Sequence, residues 1–87
     1  MGLIRVQVVI TGPLKKNYGS KLIFDVRDGA TLGELLSDSM KDLLSGGSLR
    51  SDLLYLLNGV DAAVKGGGKA QLLDGDVLTI VPIAHGG

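Results

Sequence analysis

Cysteine is absent from the 87 residues, and histidine occurs once, at His85. The first absence excludes a disulfide framework, a thiolate zinc site and a cysteine nucleophile, and it suits an intracellular setting. The second leaves a histidine metal site or a nucleophile–histidine pair with one candidate at most. Aromatic residues are scarce too. Phe24, Tyr18 and Tyr55 are the whole set, so there is no stacking platform for nucleobases. Nine basic and nine acidic side chains cancel, and no basic stripe stands out. No apolar run spans a bilayer: Met1 to Ile10 is short and interrupted by Arg5 and Gln7. Val6 stands where a myristoylation signal needs Ser or Thr. These absences predict a cytoplasmic domain with no nucleic acid and no membrane among its direct partners.

What is present is a strongly patterned chain, 45% hydrophobic with 14 glycines. From Leu3 to Ile10 the residues Ile4, Val6, Val8 and Ile10 share one face, while Arg5 and Gln7 share the other. That alternation predicts a half-buried strand. Thr11-Gly12-Pro13 breaks it, and 14–19 reads as a polar connection. Lys21 to Arg27 is a second strand with Leu22, Phe24 and Val26 inward, and the spacing suits an antiparallel pair.

Asp28-Gly29 turns the chain into a helix that opens with a capping box, Thr31 to Glu34. Leu32, Leu35, Leu36, Met40, Leu43 and Leu44 recur at helical spacing, which predicts one helix running to Ser45, with Gly46 as its left-handed cap. The continuous run Leu53 to Leu57 predicts a strand that is central in the sheet or covered on both faces, ended by an Asn58-Gly59 turn. Asp61 to Val64 reads as a short return strand, 65–69 as loop, and Val77 to Pro82 as the last strand.

This order of strand, strand, helix, strand, short strand, strand buries its single stripe most economically as an α+β fold, with one helix on one face of a mixed sheet of four or five strands. The opposite face is then uncovered. Ile23, Thr79, Val81 and an alternate set within 53–57, Tyr55 among them, are the candidates for a partner-docking surface there.

Two motifs carry no chemistry. Gly66-Gly67-Gly68-Lys69-Ala70 lacks the leading glycine of a phosphate loop, and Ala70 replaces its magnesium-binding hydroxyl. Asp74-Gly75-Asp76 lacks the remaining oxygen ligands of a calcium loop and reads as a turn. No constellation of nucleophile, base and metal ligands is present, so the chain is not expected to be an enzyme and no metal residue is assigned.

The last three residues, His85-Gly86-Gly87, are different. At this chain's own glycine content a closing Gly-Gly has a chance expectation of only about 3%. Two residues without side chains form a thin strip that lies flat in a slot where any larger residue would jam. The expected division is a folded domain over 1–82 and a flexible tail over 83–87.

Taken together, Thr31-Leu32-Gly33-Glu34-Leu35-Leu36, Leu57-Asn58-Gly59, Leu73-Asp74-Gly75-Asp76-Val77 and Pro82 through Gly87 resemble the ubiquitin-like β-grasp proteins of the sulfur-carrier branch. That branch includes the small subunit of molybdopterin synthase, the ubiquitin-related modifier and the small archaeal modifier proteins. The molybdopterin synthase subunit usually has two prolines before its glycines, whereas Ile83 follows Pro82 here and His85 precedes Gly86. The resemblance implies a carrier with no intrinsic cofactor. An adenylating activating enzyme, supplying ATP and magnesium in its own site, would charge the Gly87 carboxylate, with Gly86 and His85 threaded through its channel. A Gly87 thiocarboxylate would follow. Further partners implied are a molybdopterin synthase large subunit, a tRNA thiolation enzyme, or target proteins joined through lysine. The alternative is a non-catalytic β-grasp scaffold whose tail is incidental.

Overall fold

The computed structural model describes residues 2–83. Seven strands and two helices follow in the order β1 (Leu3–Ile10), α1 (Lys15–Tyr18), β2 (Lys21–Arg27), α2 (Leu32–Ser39), β3 (Leu44–Ser45), β4 (Ser48–Leu49), β5 (Leu53–Leu57), β6 (Val60–Asp61) and β7 (Val77–Pro82). Five of them form one mixed sheet in the order β2-β1-β7-β5-β6, in which only β1 and β7 run parallel. The other two make a separate hairpin.

The core follows from the alternation along each strand. Ile4, Val6, Val8 and Ile10 of β1, Leu78 and Ile80 of β7, and Leu53, Tyr55 and Leu57 of β5 all point to the face covered by α2. Leu32, Leu35 and Leu36 meet them from the helix. Burying each such side chain is worth roughly 1.5–3 kcal/mol. The capping box forms as expected. Thr31 Oγ1 accepts from the Glu34 N–H at 3.2 Å, and Glu34 Oε1 accepts from the Thr31 N–H at 3.0 Å. Arg27 donates to Glu34 Oε2 at 2.7 Å, and the Thr31 N–H, then Arg27, hold the Glu34 carboxyl below its ordinary pKa.

The helix is shorter than its apolar spacing predicts. It ends at Ser39, where Met40 takes φ −145 and ψ 59, and a 3₁₀ turn over Lys41–Leu43 follows. Met40 and Leu43 are buried all the same, and Leu44 has become the start of β3. The physical reason lies downstream. Carbonyls that a continued helix would satisfy internally are taken by side chains: Arg50 Nη1 donates to the Asp42 C=O at 2.8 Å, and the Tyr55 hydroxyl donates to the Leu43 C=O at 2.5 Å. Gly46 is consequently not a helix cap. With Gly47 it forms the hairpin turn between β3 and β4, at φ 57 and 86.

Three further corrections concern strands and loops. β5 is an interior strand, between β7 and β6, but it is covered on one face only: Leu53, Tyr55 and Leu57 are buried, while Leu54 and Leu56 are half-buried on the other side. The return strand is Val60–Asp61, and Ala62–Lys65 is a 3₁₀ turn. The connection 14–19 contains the one-turn helix α1, whose Tyr18 packs against the core. The glycine loop has a packing role. A Cβ on Gly33 would lie 3.0 Å from the Gly68 carbonyl oxygen, so 66–69 rests directly on the start of α2.

Candidate functional site: the root of the tail and the open sheet face

The residues proposed for charging and threading, His85, Gly86 and Gly87, lie outside the described residues. What the structure defines is the point from which they depart. Val81 and Pro82 pair with Leu54 and Leu53 of β5, and the Ile83 N–H then donates to the Asp52 C=O at 2.9 Å. On the other flank, Thr11 donates twice to the Ile80 C=O, from its backbone at 3.2 Å and its hydroxyl at 2.9 Å. Gly12 follows at φ +67, and a Cβ there would sit 3.2 Å from the Pro82 ring. The chain is therefore bracketed up to Ile83. Four extended residues beyond it reach at most about 14 Å.

Asp52 is itself anchored. Arg50 grips its carboxylate with two bonds, Nε to Oδ1 at 2.9 Å and Nη2 to Oδ2 at 2.6 Å. The same guanidinium reaches the Asp42 C=O, and the Arg50 N–H donates to the Tyr55 hydroxyl at 2.8 Å. The bond to Asp52 raises the Arg50 pKa, which keeps the guanidinium charged. Burial pushes the Tyr55 phenol up, so it stays a neutral donor and acceptor. Arg50 and Asp52 were not legible as functional residues; their i, i+2 charge pair looks like any polar loop. Gly12 carried a signal in Thr11-Gly12-Pro13, read only as the end of a strand.

The open face of the sheet is read from the register. One row runs Ile23–Gln7–Val77, and the next runs Lys21–Val9–Thr79–Leu56–Asp61. Val81 and Leu54 lie opposite one another beyond it. Ile23 is 57% exposed, and Thr79 and Val81 are half-buried, so the three share a face as expected. Tyr55 does not join them. It is 3% exposed on the helix side, because strand periodicity places Leu54 and Leu56, not Tyr55, on the open face. At the far end of the face the two turn carboxylates are occupied by backbone. Asp74 accepts from the Arg5 N–H and Asp76 from the Leu73 N–H, both at 2.8 Å. Among the described residues no group of three or more His, Asp or Glu side chains is placed to hold a metal ion.

A mixed five-stranded sheet cradling one main helix, with its last strand leading to the C-terminal residues, defines a ubiquitin-like β-grasp protein. No family profile and no curated protein matches the chain. Solved structures do. A chain of the Amycolatopsis orientalis BexX/CysO complex is 32% identical, with a TM-score of 0.71 and coverage of 94% of this chain and 99% of that one. Urm1 from Sulfolobus solfataricus is also 32% identical, with a TM-score of 0.65 and coverage of 88% and 99%. SAMP1 from Haloferax volcanii is 24% identical, with a TM-score of 0.77 and coverage of 95% and 99%. The chain belongs to the ubiquitin-like β-grasp sulfur carriers, the small carrier and modifier proteins represented by SAMP1, Urm1, CysO and subunit 1 of the molybdopterin converting factor. None of its described helices is long and apolar enough to cross a membrane.

Proposed function

We propose that this carrier works through its Gly87 carboxylate, charged by an adenylating enzyme that docks on the open sheet face. A carboxylate oxygen attacks the α-phosphorus of ATP, pyrophosphate leaves, and an acyl-adenylate forms. The terminal sulfur of a persulfide then displaces AMP from the acyl carbon. A second thiol cleaves the resulting sulfur–sulfur bond and leaves the Gly87 thiocarboxylate. That sulfur passes to a molybdopterin precursor or to tRNA, or a lysine amine on a target protein attacks the activated carbonyl and forms an isopeptide bond. ATP and magnesium belong to the activating enzyme, and this chain turns nothing over. A molybdopterin synthase large subunit or a tRNA thiolation enzyme would be the acceptor-side partner.

The observation that carries this reading is the fixed root of the tail. Ile83 is held on Asp52 at the edge of the open face, so a partner gripping Ile23, Thr79 and Val81 receives the following four residues from a defined origin. Holding reacting groups in place removes much of the entropy cost of a bimolecular step. The test is deletion of Gly86-Gly87 together with intact-mass measurement of the protein from its native host. The expected results are unchanged thermal stability, loss of charging by a cognate activating enzyme, and a native fraction in which one oxygen is replaced by sulfur or Gly87 is joined to lysine. A native protein carrying neither modification under any growth condition would refute the reading.

A further inference from the structure

β2 is the terminal strand of the sheet, and its seven residues keep an unbroken register with β1, with no proline. A regular edge of that kind is a pairing template unless something blunts it. The outward-facing backbone groups can be assigned. The Ile10 N–H donates to the Ser20 C=O at 3.0 Å, and the Asp28 N–H to the Gly2 C=O at 3.1 Å. Both are directly opposed pairs, so Leu22, Phe24 and Val26 exchange their bonds with β1, while Lys21, Ile23 and Asp25 direct theirs away from it. The Arg27 carbonyl instead accepts from the Ala30 N–H at 3.0 Å, which closes that end of the edge.

We infer that this edge is self-complementary and docks β2 of a second copy of the chain, antiparallel, about a two-fold axis at Ile23. Charge selects the register. With Ile23 opposite itself, Lys21 lies opposite Asp25 of the second copy, twice by symmetry, and three opposed pairs exchange two backbone bonds each. The next register in one direction sets Lys21 against Arg27, and the one after that sets Asp25 against itself. The next in the other direction sets Lys21 against Ile23 and leaves Asp25 opposite Gly19. Opposite charges facing directly across a pair stabilise it and like charges destabilise it, so only the first register is favourable throughout.

The surroundings agree with that register. Asp25 Oδ1 accepts from Arg5 Nε at 3.2 Å with about half of its side chain exposed, so the incoming lysine extends an alternating row of charge. On the helix side, half-buried Leu22 meets Phe24 of the second copy. β1 separates β2 from β7, so pairing leaves the root of the tail clear. One strand pair buries little surface, which places the contact at the weak, transient end of specific interfaces.

The test is sedimentation velocity of the full chain from about 20 μM to about 2 mM, a range suited to a contact of this size, with ¹⁵N NMR over the same range. Expected are dimerisation toward the upper limit and slowed solvent exchange at the amides of Lys21, Ile23 and Asp25. Lys21→Asp should weaken the dimer about tenfold or more by opposing two carboxylates at both symmetric positions, and Lys21→Asp with Asp25→Lys should restore it. The chain has no cysteine of its own, so crosslinking reads the register directly. Ile23→Cys should form a disulfide rapidly, whereas Asp25→Cys should not, because those residues lie about 14 Å apart along the paired strands. A monomer at the highest concentration, a dimer indifferent to Lys21→Asp, or faster crosslinking at position 25 than at 23 overturns the inference.

Discussion

Replacing Tyr55 by phenylalanine removes one oxygen and no apolar surface, and the structure says what that oxygen does. It donates to the buried Leu43 carbonyl at 2.5 Å and accepts from the Arg50 N–H at 2.8 Å. The variant leaves a buried carbonyl without its partner, at a cost of about 1–3 kcal/mol. The Arg50 amide is only partly buried and recovers water, so its loss adds at most about 1 kcal/mol. The total is roughly 1–4 kcal/mol, and its midpoint of about 2.5, at about 4–8 °C per kcal/mol for a domain of this size, lowers Tm by some 10–20 °C. Calorimetry at neutral pH reads the shift. A docking role for Tyr55 on the open face would instead leave Tm unchanged and weaken only partner binding. A fall of less than about 3 °C would show that the network from helix end to tail root does not hold the fold as argued. Alkaline titration gives a second readout. Burial, its largest influence, raises the Tyr55 pKa above the ordinary 10.0, so the unfolded chain loses this proton first. The associated stability is complete below pH 10 and is lost as pH climbs through the folded value. Tyr55→Phe should therefore flatten the alkaline decline of stability. It should not abolish that decline, because the Tyr18 pKa is also raised, by burial and then by Asp42.

Gly12→Ala forces a side chain into a left-handed backbone position and against the Pro82 ring, so it should cost about 1–3 kcal/mol and lower Tm by differential scanning. The Glu34 carboxyl is held below the usual carboxylate range, first by the Thr31 N–H and then by Arg27, so its contribution is present above the ordinary value of 4.5 and lost as pH falls through the folded one. Glu34→Gln should accordingly reduce the acid-side slope of stability in urea melts at pH 3 to 6, and the part of that slope due to the exposed Arg27 pair should shrink at high salt. Leu36 is completely buried, and Leu36→Asp should abolish the cooperative unfolding transition and the dispersed NMR spectrum. Ile23→Asp alters a side chain 57% exposed, so it should move stability by no more than about 0.5 kcal/mol while raising the KM for the activating enzyme in a pyrophosphate-release assay.

The elements that were legible are those in which local pattern and tertiary demand coincide. β1, β2 and β7 begin and end where their alternation does, and the Asn58-Gly59 turn takes the left-handed pair its residues favour, at φ 51 and 83. The capping box fixed the start of α2, since both partners lie within one turn of each other. Its end was not legible. Met40, Leu43 and Leu44 continue the helical spacing, and nothing local announces that Arg50 and Tyr55 will claim the carbonyls of Asp42 and Leu43.

The primary sequence by itself determined the fold family, the face that β1, β2 and β7 bury and the thin Gly86-Gly87 ending, because two-residue and helical periodicities and glycine's missing Cβ are properties of neighbours along the chain. Tertiary structure alone decided that Tyr55 serves the core, that Ile83 is tethered to Asp52, and that β2 is left with an edge to offer. Each depends on which distant backbone groups arrive unsatisfied at the same place, and hydrogen-bonding demand across dozens of residues leaves no periodic trace in the chain.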